Sequence, residues 1–93
     1  MAKLTMQDYK ECWVCGVNAC LEKHHIFFGT GNRKISDRYG LTVWLCSCHH
    51  RGSKEGVHFV RTLDLKLKKA GQRMFEQVYS REIFMQKFGR NYL

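Results

Sequence analysis

The sequence contains no proline, and none of its segments repeats at a fixed period or has low complexity. Proline is the usual signature of a stiff linker between domains, so its absence argues against such a linker. We therefore expect one continuous domain over residues 1–93. A chain of this length buries only about two-thirds of the surface that it exposes when unfolded, which leaves its core marginal. Something besides the core is expected to hold the fold together.

Long apolar segments are also missing. The longest stretch without a charged residue falls far below the ~20 apolar residues that a membrane-spanning helix needs. The initial segment MAKLTMQDYK lacks the apolar stretch of a signal peptide. These absences argue against membrane insertion and ordinary secretion, and we expect the protein in the cytoplasm.

Acidic residues are scarce. Eight Asp and Glu stand against sixteen Lys and Arg, which gives a formal net charge of +8 and a pI near 9.5. Such an excess favours a polyanionic partner, nucleic acid above all. Residues 1–50 contain six basic and four acidic side chains, whereas residues 51–93 contain ten and four. Most of the positive charge therefore follows His50.

Cysteine and histidine, by contrast, are abundant, with five of each. An odd number of thiols without an export signal is typical of a reducing compartment, where metal binding is more common than disulfides. Cys12 and Cys15 form one C-x2-C pair, and Cys46 and His49 form a second pair of the same spacing. Two such pairs, each spanning one edge of a tetrahedron, predict a structural zinc site. Bound zinc contributes an apparent ~10 kcal/mol or more to folding, which a domain this small needs.

The second pair has an alternative form, in which Cys48 replaces His49. One intervening residue suits a single tetrahedral metal less well than two, so Cys46 with His49 is the preferred assignment. Cys20 and Cys48 then lie outside the site. Lone thiols of this kind are expected to be small, buried, apolar side chains.

The predicted order of elements is knuckle, strand, loop, strand, metal-binding turn and helices, which makes an α+β fold. Strands are expected at 24–28 and 42–45, where β-branched and aromatic residues are frequent. The connection 29–40 reads as a loop with one helical turn, for which Ser36 is a candidate cap and Gly40 the end.

Beyond the second metal pair, apolar residues recur at helical spacing. The first helix should bury one face, which consists of Val60, Leu63, Leu67, Ala70 and Met74. Gly71 is expected to divide or kink this helix, because glycine costs about 1 kcal/mol relative to alanine in a helix interior. Ser80 is expected to cap a further helix that carries Phe84 and Phe88 and ends at Gly89.

Four histidines remain once the zinc site is assigned: His24, His25, His50 and His58. A lone histidine is more often an ordinary packed residue than a ligand, and for His58 the sequence leaves both interpretations open. Adjacent histidines are more informative. If His49 binds zinc, His50 faces elsewhere and can meet a histidine of the first strand across the hairpin.

These motifs together resemble a known family. The Cys-x2-Cys pair at 12–15, the segments LEKHHI at 21–26 and LCSCHH at 45–50, and the GVH segment at 56–58 are similar to small phage-type HNH endonucleases, including the RecA-dependent recombination-enhancement nucleases of phages. The resemblance implies a ββα-metal (His-Me finger) core with a zinc knuckle over residues 1–59 and a basic helical extension over 60–93. It also implies a bacterial or phage-infected cell as the setting.

The resemblance further implies roles for the histidines. His24 and His50 would hold a catalytic divalent metal, such as Mg²⁺, Mn²⁺, Ni²⁺ or Zn²⁺, and His25 would be the general base for phosphodiester hydrolysis. His58 would be a third ligand or a phosphate contact. The family's asparagine has one candidate here, Asn32, for which a solvated loop amide is the other interpretation. Because neighbouring strand residues point to opposite faces, His24 and His25 can serve one site only if the strand ends or bulges there.

Basic residues on both sides of the expected site are candidates for DNA phosphate contacts: Arg33, Lys34, Arg38, Arg51 and Lys54. No base-reading helix is recognisable, so we expect weakly specific cleavage of double- or single-stranded DNA, with a recombination or DNA-packaging protein as a candidate partner. The alternative is a non-catalytic zinc-finger DNA-binding or adaptor protein. That alternative explains the zinc ligands and the charge, but not His24, His25 and His50.

Overall fold

The computed structural model describes residues 4–93. Within this range the chain forms a two-stranded sheet and four helices, so the expected α+β class is confirmed. The elements, in chain order, are β1 (Leu21–His25), α1 (Asn32–Tyr39), β2 (Thr42–Cys46), α2 (Ser47–Arg51), α3 (Arg61–Val78) and α4 (Arg81–Phe88). None of these helices is both long and apolar enough to span a membrane.

The sheet is an antiparallel pair in which Leu21 lies opposite Cys46 and His25 lies opposite Thr42. β2 matches the predicted strand. The first strand is also present, but its expected bounds of 24–28 are wrong, because β1 begins earlier and ends at His25. The reason is packing: Ile26 and Phe27 are almost completely buried and leave the sheet to enter the core. The adjacent histidines therefore lie at the end of β1, not at its start.

The connection between the strands contains a full helix where one turn was expected. α1 covers eight residues, and the predicted end at Gly40 is confirmed by its left-handed backbone, with φ of 76°. Ser36 does not cap this helix. Its buried hydroxyl donates to the carbonyl of Phe27 at 2.7 Å and accepts from the Phe27 N–H at 3.1 Å, which fixes the chain just after β1.

α3 is continuous through Gly71, so the expected division of this helix is wrong. A Cβ atom at this position would lie 3.1 Å from the Phe27 ring and 3.3 Å from the Ile26 side chain. Glycine is therefore tolerated because it lets the backbone of α3 approach the segment that follows β1. Leu67 and Phe75, on the same helix, are completely buried.

α4 has the predicted boundaries. The Ser80 hydroxyl accepts from the Ile83 N–H at 3.1 Å, and Gly89 ends the helix in the left-handed region. Phe84 and Phe88 are buried, and their ring centroids lie 5.2 and 4.5 Å from that of Phe27. The helical extension thus contributes three of the five buried aromatic side chains among residues 4–93: Phe75, Phe84 and Phe88.

The two left-handed helix ends provide a matched pair of substitutions. A Cβ at Gly40 would collide with the backbone carbonyl of Leu4, whereas a Cβ at Gly89 would meet nothing within 4 Å. Gly89→Ala should therefore cost only the left-handed strain, about 1 kcal/mol. Gly40→Ala should cost roughly 3 kcal/mol, because backbone displacement adds to the strain. Urea unfolding of both variants tests this difference, and equal losses would contradict it.

Candidate metal centres

The first centre begins with a turn at Cys12–Gly16. The Gly16 N–H donates to the Cys12 carbonyl at 2.8 Å, and Gly16 has a φ of 79°, so the segment forms a tight turn that needs glycine. The Cys12 N–H donates to the Val17 carbonyl at 2.7 Å, and the Trp13 N–H donates to the Trp44 carbonyl at 2.9 Å. The first of these bonds closes the knuckle, and the second holds it against β2.

The predicted zinc ligands Cys12, Cys15, Cys46 and His49 come together, with all four ligand atoms within 4.8 Å of one another. Around a tetrahedral zinc ion, two sulfurs are about 3.8 Å apart, and a sulfur and a nitrogen are about 3.6 Å apart. Here the Cys15 and Cys46 sulfurs lie 3.9 Å apart. The His49 Nδ1 lies 3.7 Å from the Cys12 sulfur and 3.2 Å from the Cys46 sulfur. The cluster therefore has the size of a tetrahedral metal site.

The charge state of the thiols also fits a metal cation. Burial raises the pKa of the Cys12 thiol, but backbone N–H groups of Cys46 and of the knuckle outweigh it and lower the pKa to about 6. The Val17 N–H lowers the pKa of Cys15, yet burial and the neighbouring thiols raise it overall. Without a cation, one thiolate thus opposes the ionisation of the next, and a bound cation removes this opposition.

Cys48 and Cys20 do not belong to this centre. Both are exposed, so the expectation that they are buried apolar side chains is wrong. Cys48 precedes His49 on α2, and successive helical residues point about 100° apart, which turns the Cys48 thiol away from the cluster. The preferred pairing of Cys46 with His49 is the one that the fold forms.

A second group of possible metal ligands consists of His24, His50 and His58. The Nε2 atoms of His50 and His58 are 3.3 Å apart, close to the ~3.4 Å between two imidazole nitrogens on a tetrahedral zinc ion. The His24 ring centroid lies 5.3 Å from that of His50 and 5.2 Å from that of His58. β1, α2 and the loop before α3 each supply one histidine.

His24 has the properties of a metal ligand. Its side chain is buried, and its Nε2 has no hydrogen-bond partner among residues 4–93. Burial, with a smaller effect from His50, lowers its pKa to about 3, so the imidazole stays neutral at pH 7. A buried nitrogen without a partner is costly, and coordination to a cation would compensate it.

His50 is oriented by Glu22, whose Oε1 lies 2.7 Å from the His50 Nδ1. Arg51 in turn donates to both oxygens of Glu22, at 2.9 and 2.5 Å. The bond from His50, followed by that from Arg51, lowers the pKa of Glu22, which keeps it ionised. With Nδ1 engaged, the Nε2 of His50 is left to face His58, as in metal sites where a carboxylate fixes the ligand tautomer.

Sequence reasoning missed this role. Strand parity places Glu22 on the same face of β1 as His24, but it does not show which residue of another element Glu22 meets. The fold instead places Glu22 behind His50 as a support, and only the position of α2 over β1 reveals this arrangement.

His25 lines the same cavity as the three clustered histidines, a space of about 610 Å³. Because β1 ends at His25, the two adjacent histidines can both face this space, as their proposed roles require. The His25 Nε2 lies 3.6 Å from Asp37 Oδ1. Burial and then the nearby Arg33 charge lower the pKa of His25, so it is available as a neutral base at pH 7.

The remaining predicted site residues are distributed around this cavity. Arg33 lines it, whereas Asn32, the first residue of α1, is not among the lining residues. Lys34, Arg38 and Lys54 are exposed. Arg51 is also exposed, but its guanidinium already pairs with Glu22, so its first role is to anchor that carboxylate.

Comparisons of the chain with protein-family models, with curated proteins and with solved structures find no significant match. The two centres are therefore interpreted from their own geometry.

Replacing Cys12 with Ser should release the metal from the first centre. The lost binding free energy, roughly 10 kcal/mol in apparent terms, is as large as the total stability of a typical small domain, so the variant should unfold. Metal analysis together with circular dichroism measures both effects. Cys48→Ser is the matched control and should stay folded with its zinc. A folded wild-type protein without zinc would overturn the assignment.

Replacing Glu22 with Ala should weaken Co²⁺ or Ni²⁺ binding at the histidine cluster by about 10- to 100-fold, because the tautomer and orientation of His50 are no longer fixed. Calorimetric titration of the zinc-loaded protein measures this affinity. Glu22→Gln keeps an oxygen for the His50 N–H and should recover most of the binding. Glu82→Ala, at an exposed position on α4, should have no effect, and wild-type affinity in Glu22→Ala would argue against the supporting role.

Proposed function

We propose that the protein is a metal-dependent HNH DNA endonuclease that hydrolyses phosphodiester bonds with weak sequence specificity. The observation that carries the proposal is the convergence of His24, His50 and His58 on one point, with His25 on the same cavity. A site that only stabilised the fold would not need a fourth histidine at the rim of an open cavity. We propose further that β1, β2 and α2 form a ββα-metal core, with the zinc knuckle packed beside it.

In the proposed reaction, the cation and the protein side chains have separate tasks. A bound divalent cation would polarise the scissile phosphate and stabilise the leaving 3′ oxygen. His25 takes the proton from the attacking water, for which a neutral imidazole is required. Asp37, 3.6 Å from the His25 Nε2, favours the imidazolium that results.

The charge distribution supports a nucleic-acid substrate. Arg33 lines the histidine cavity, and exposed Lys34 and Arg38 continue from it along α1. Lys54 is exposed on the loop between His50 and His58. Phosphate contacts of this kind hold DNA without reading its sequence, and their strength falls steeply with salt.

The two metals have different proposed roles, structural at the Cys₃His centre and catalytic at the histidine cluster. The Cys₃His centre is suited to a structural Zn²⁺, since all four positions come from the protein. The histidine cluster supplies three ligands and leaves positions for water and phosphate. Imidazole nitrogen favours Zn²⁺, Ni²⁺ and Mn²⁺ at least as well as Mg²⁺.

A non-catalytic zinc-finger DNA-binding or adaptor protein is the alternative function. This alternative explains the Cys₃His centre and the net charge of +8 as well as the nuclease does. It gives no reason for the buried, unpartnered Nε2 of His24 or for the tautomer control of His50. The nuclease explains both.

Nicking of supercoiled plasmid in the presence of Mg²⁺, Mn²⁺, Ni²⁺ or Zn²⁺ separates the two functions. The wild-type protein should cut with at least one of these ions, and His25→Ala should lose about 10²- to 10⁴-fold in rate, the usual contribution of a general base. The variant should keep its zinc and its affinity for DNA, because His25 is a ligand in neither centre.

Lys87→Ala, at an exposed position on α4, is the control and should cut normally. Absence of cutting by the wild-type protein with every ion, on both single- and double-stranded DNA and with a recombination or packaging protein present, would exclude the nuclease and leave the binding protein.

A further inference from the structure

A smaller pocket of about 150 Å³ adjoins the histidine cavity. Its lining consists of Phe28, Val57, His58, Phe59, Arg61 and Asp64. Phe28 and His58 line both spaces, so the pocket opens beside the histidine cluster. A molecule bound at the histidine cluster can therefore place its adjoining chemical group in this pocket.

Exposed aromatic rings are concentrated at this pocket. Among residues 4–93, the exposed aromatic side chains are Tyr9, Phe59 and, to the smallest extent at 37%, Phe28, and the two phenylalanines line this pocket. Phe59 is 65% exposed and makes no ring contact with other aromatic side chains of the described chain. Scattered exposed apolar residues need no explanation, but two rings in one pocket beside a polar site do.

The two rings differ in how firmly they are held. The Phe28 ring lies 5.2 Å from the His58 ring, and the Lys68 ammonium lies 4.4 Å from its centroid. Phe28 is thus a fixed wall of the pocket. Phe59, on the loop before α3, leaves most of its ring available to a ligand.

The charges around the pocket suit an anionic ligand. Arg61 is exposed and forms no ion pair within residues 4–93, so its guanidinium is available to a phosphate. The one carboxylate in the lining, that of Asp64, is paired through Oδ2 with Lys68 at 2.8 Å, while its buried Oδ1 has no hydrogen-bond partner among residues 4–93. The ion pair therefore offsets part of its repulsion of an anion.

We propose that this pocket is a subsite for one unpaired nucleobase next to the phosphate at the histidine cluster. The inference rests on the proposed nuclease function. Phe59 stacks on the base, Phe28 closes the far side, and Arg61 contacts the adjoining phosphate. Stacking of this kind is the common way to bind single strands, and it accepts any base. A base inside an intact duplex cannot enter, so single-stranded, frayed or flapped DNA is the favoured substrate.

The test compares the binding of a labelled single-stranded oligonucleotide and its duplex by fluorescence anisotropy, using zinc-loaded protein without added divalent ions. Phe59→Ala should weaken single-strand binding about tenfold and duplex binding by less than about twofold, because only the single strand offers a base to stack. Phe59→Trp should retain or improve single-strand binding, and Phe59→Leu should behave like the alanine variant. Tyr9→Ala, which removes an equally exposed ring elsewhere, should bind both forms like the wild type.

Unchanged single-strand binding in Phe59→Ala, or equal losses for both forms, overturns the subsite. Plasmid cutting by the wild type together with either result leaves the nuclease proposal intact and removes only this inference. Absence of any salt-sensitive DNA binding by the wild-type protein overturns both proposals. Zinc content and thermal unfolding of each variant show that it is folded.

Discussion

The Cys₃His cluster is the constraint on which the rest of the molecule depends. It joins a turn near the start of the described chain to the junction of β2 and α2, and Cys12 is itself part of the buried core. The fold has only a two-stranded sheet, which is marginal by itself in water. A cation at this cluster therefore acts both as a cross-link and as the neutralising charge for closely spaced thiolates.

The second cluster takes its geometry from the first through α2. His49 and His50 are consecutive, so fixing one imidazole in the Cys₃His cluster turns the other toward His24 and His58. The two histidines use opposite nitrogens. His49 faces the thiols with Nδ1, whereas His50 faces the histidines with Nε2 and has Glu22 2.7 Å from its Nδ1. A carboxylate at this distance fixes the tautomer of a ligand. Glu55, 4.0 Å from the His49 Nε2, is too far away to form such a hydrogen bond.

Local signals in the sequence were sufficient for the features that depend on local chemistry. The spacing of the Cys and His pairs predicted which residues form the Cys₃His cluster, and cap chemistry predicted the helix ends at Gly40, Ser80 and Gly89. The meeting of His50 with a histidine of β1 also followed from the order of elements.

Features that depend on tertiary packing could not be predicted in this way. The early end of β1 follows from the burial of Ile26 and Phe27, and the bond of Ser36 to Phe27 depends on how α1 folds back. Gly71 was misinterpreted for the same reason, since helix propensity carries no information about a neighbouring ring. The roles of Glu22 and Phe59 are visible only in the folded chain, where Glu22 contacts His50 and Phe59 lines the smaller pocket.

The close approach of α3 at Gly71 bears on whether the chain can be subdivided. Net charge distinguishes residues 1–50, which contain most of the metal-binding motifs, from the more basic residues 51–93. The packing of the fold does not follow this division. Phe27, two residues beyond the last histidine of β1, packs against Phe84 and Phe88 of α4 and against the glycine of α3. The position at which β1 ends, and with it the direction in which its histidines face, is therefore set by the basic half. The histidine site is therefore not an autonomous module. A fragment that ended before α3 would keep every proposed ligand but would lose the packing that orients His24 and His25.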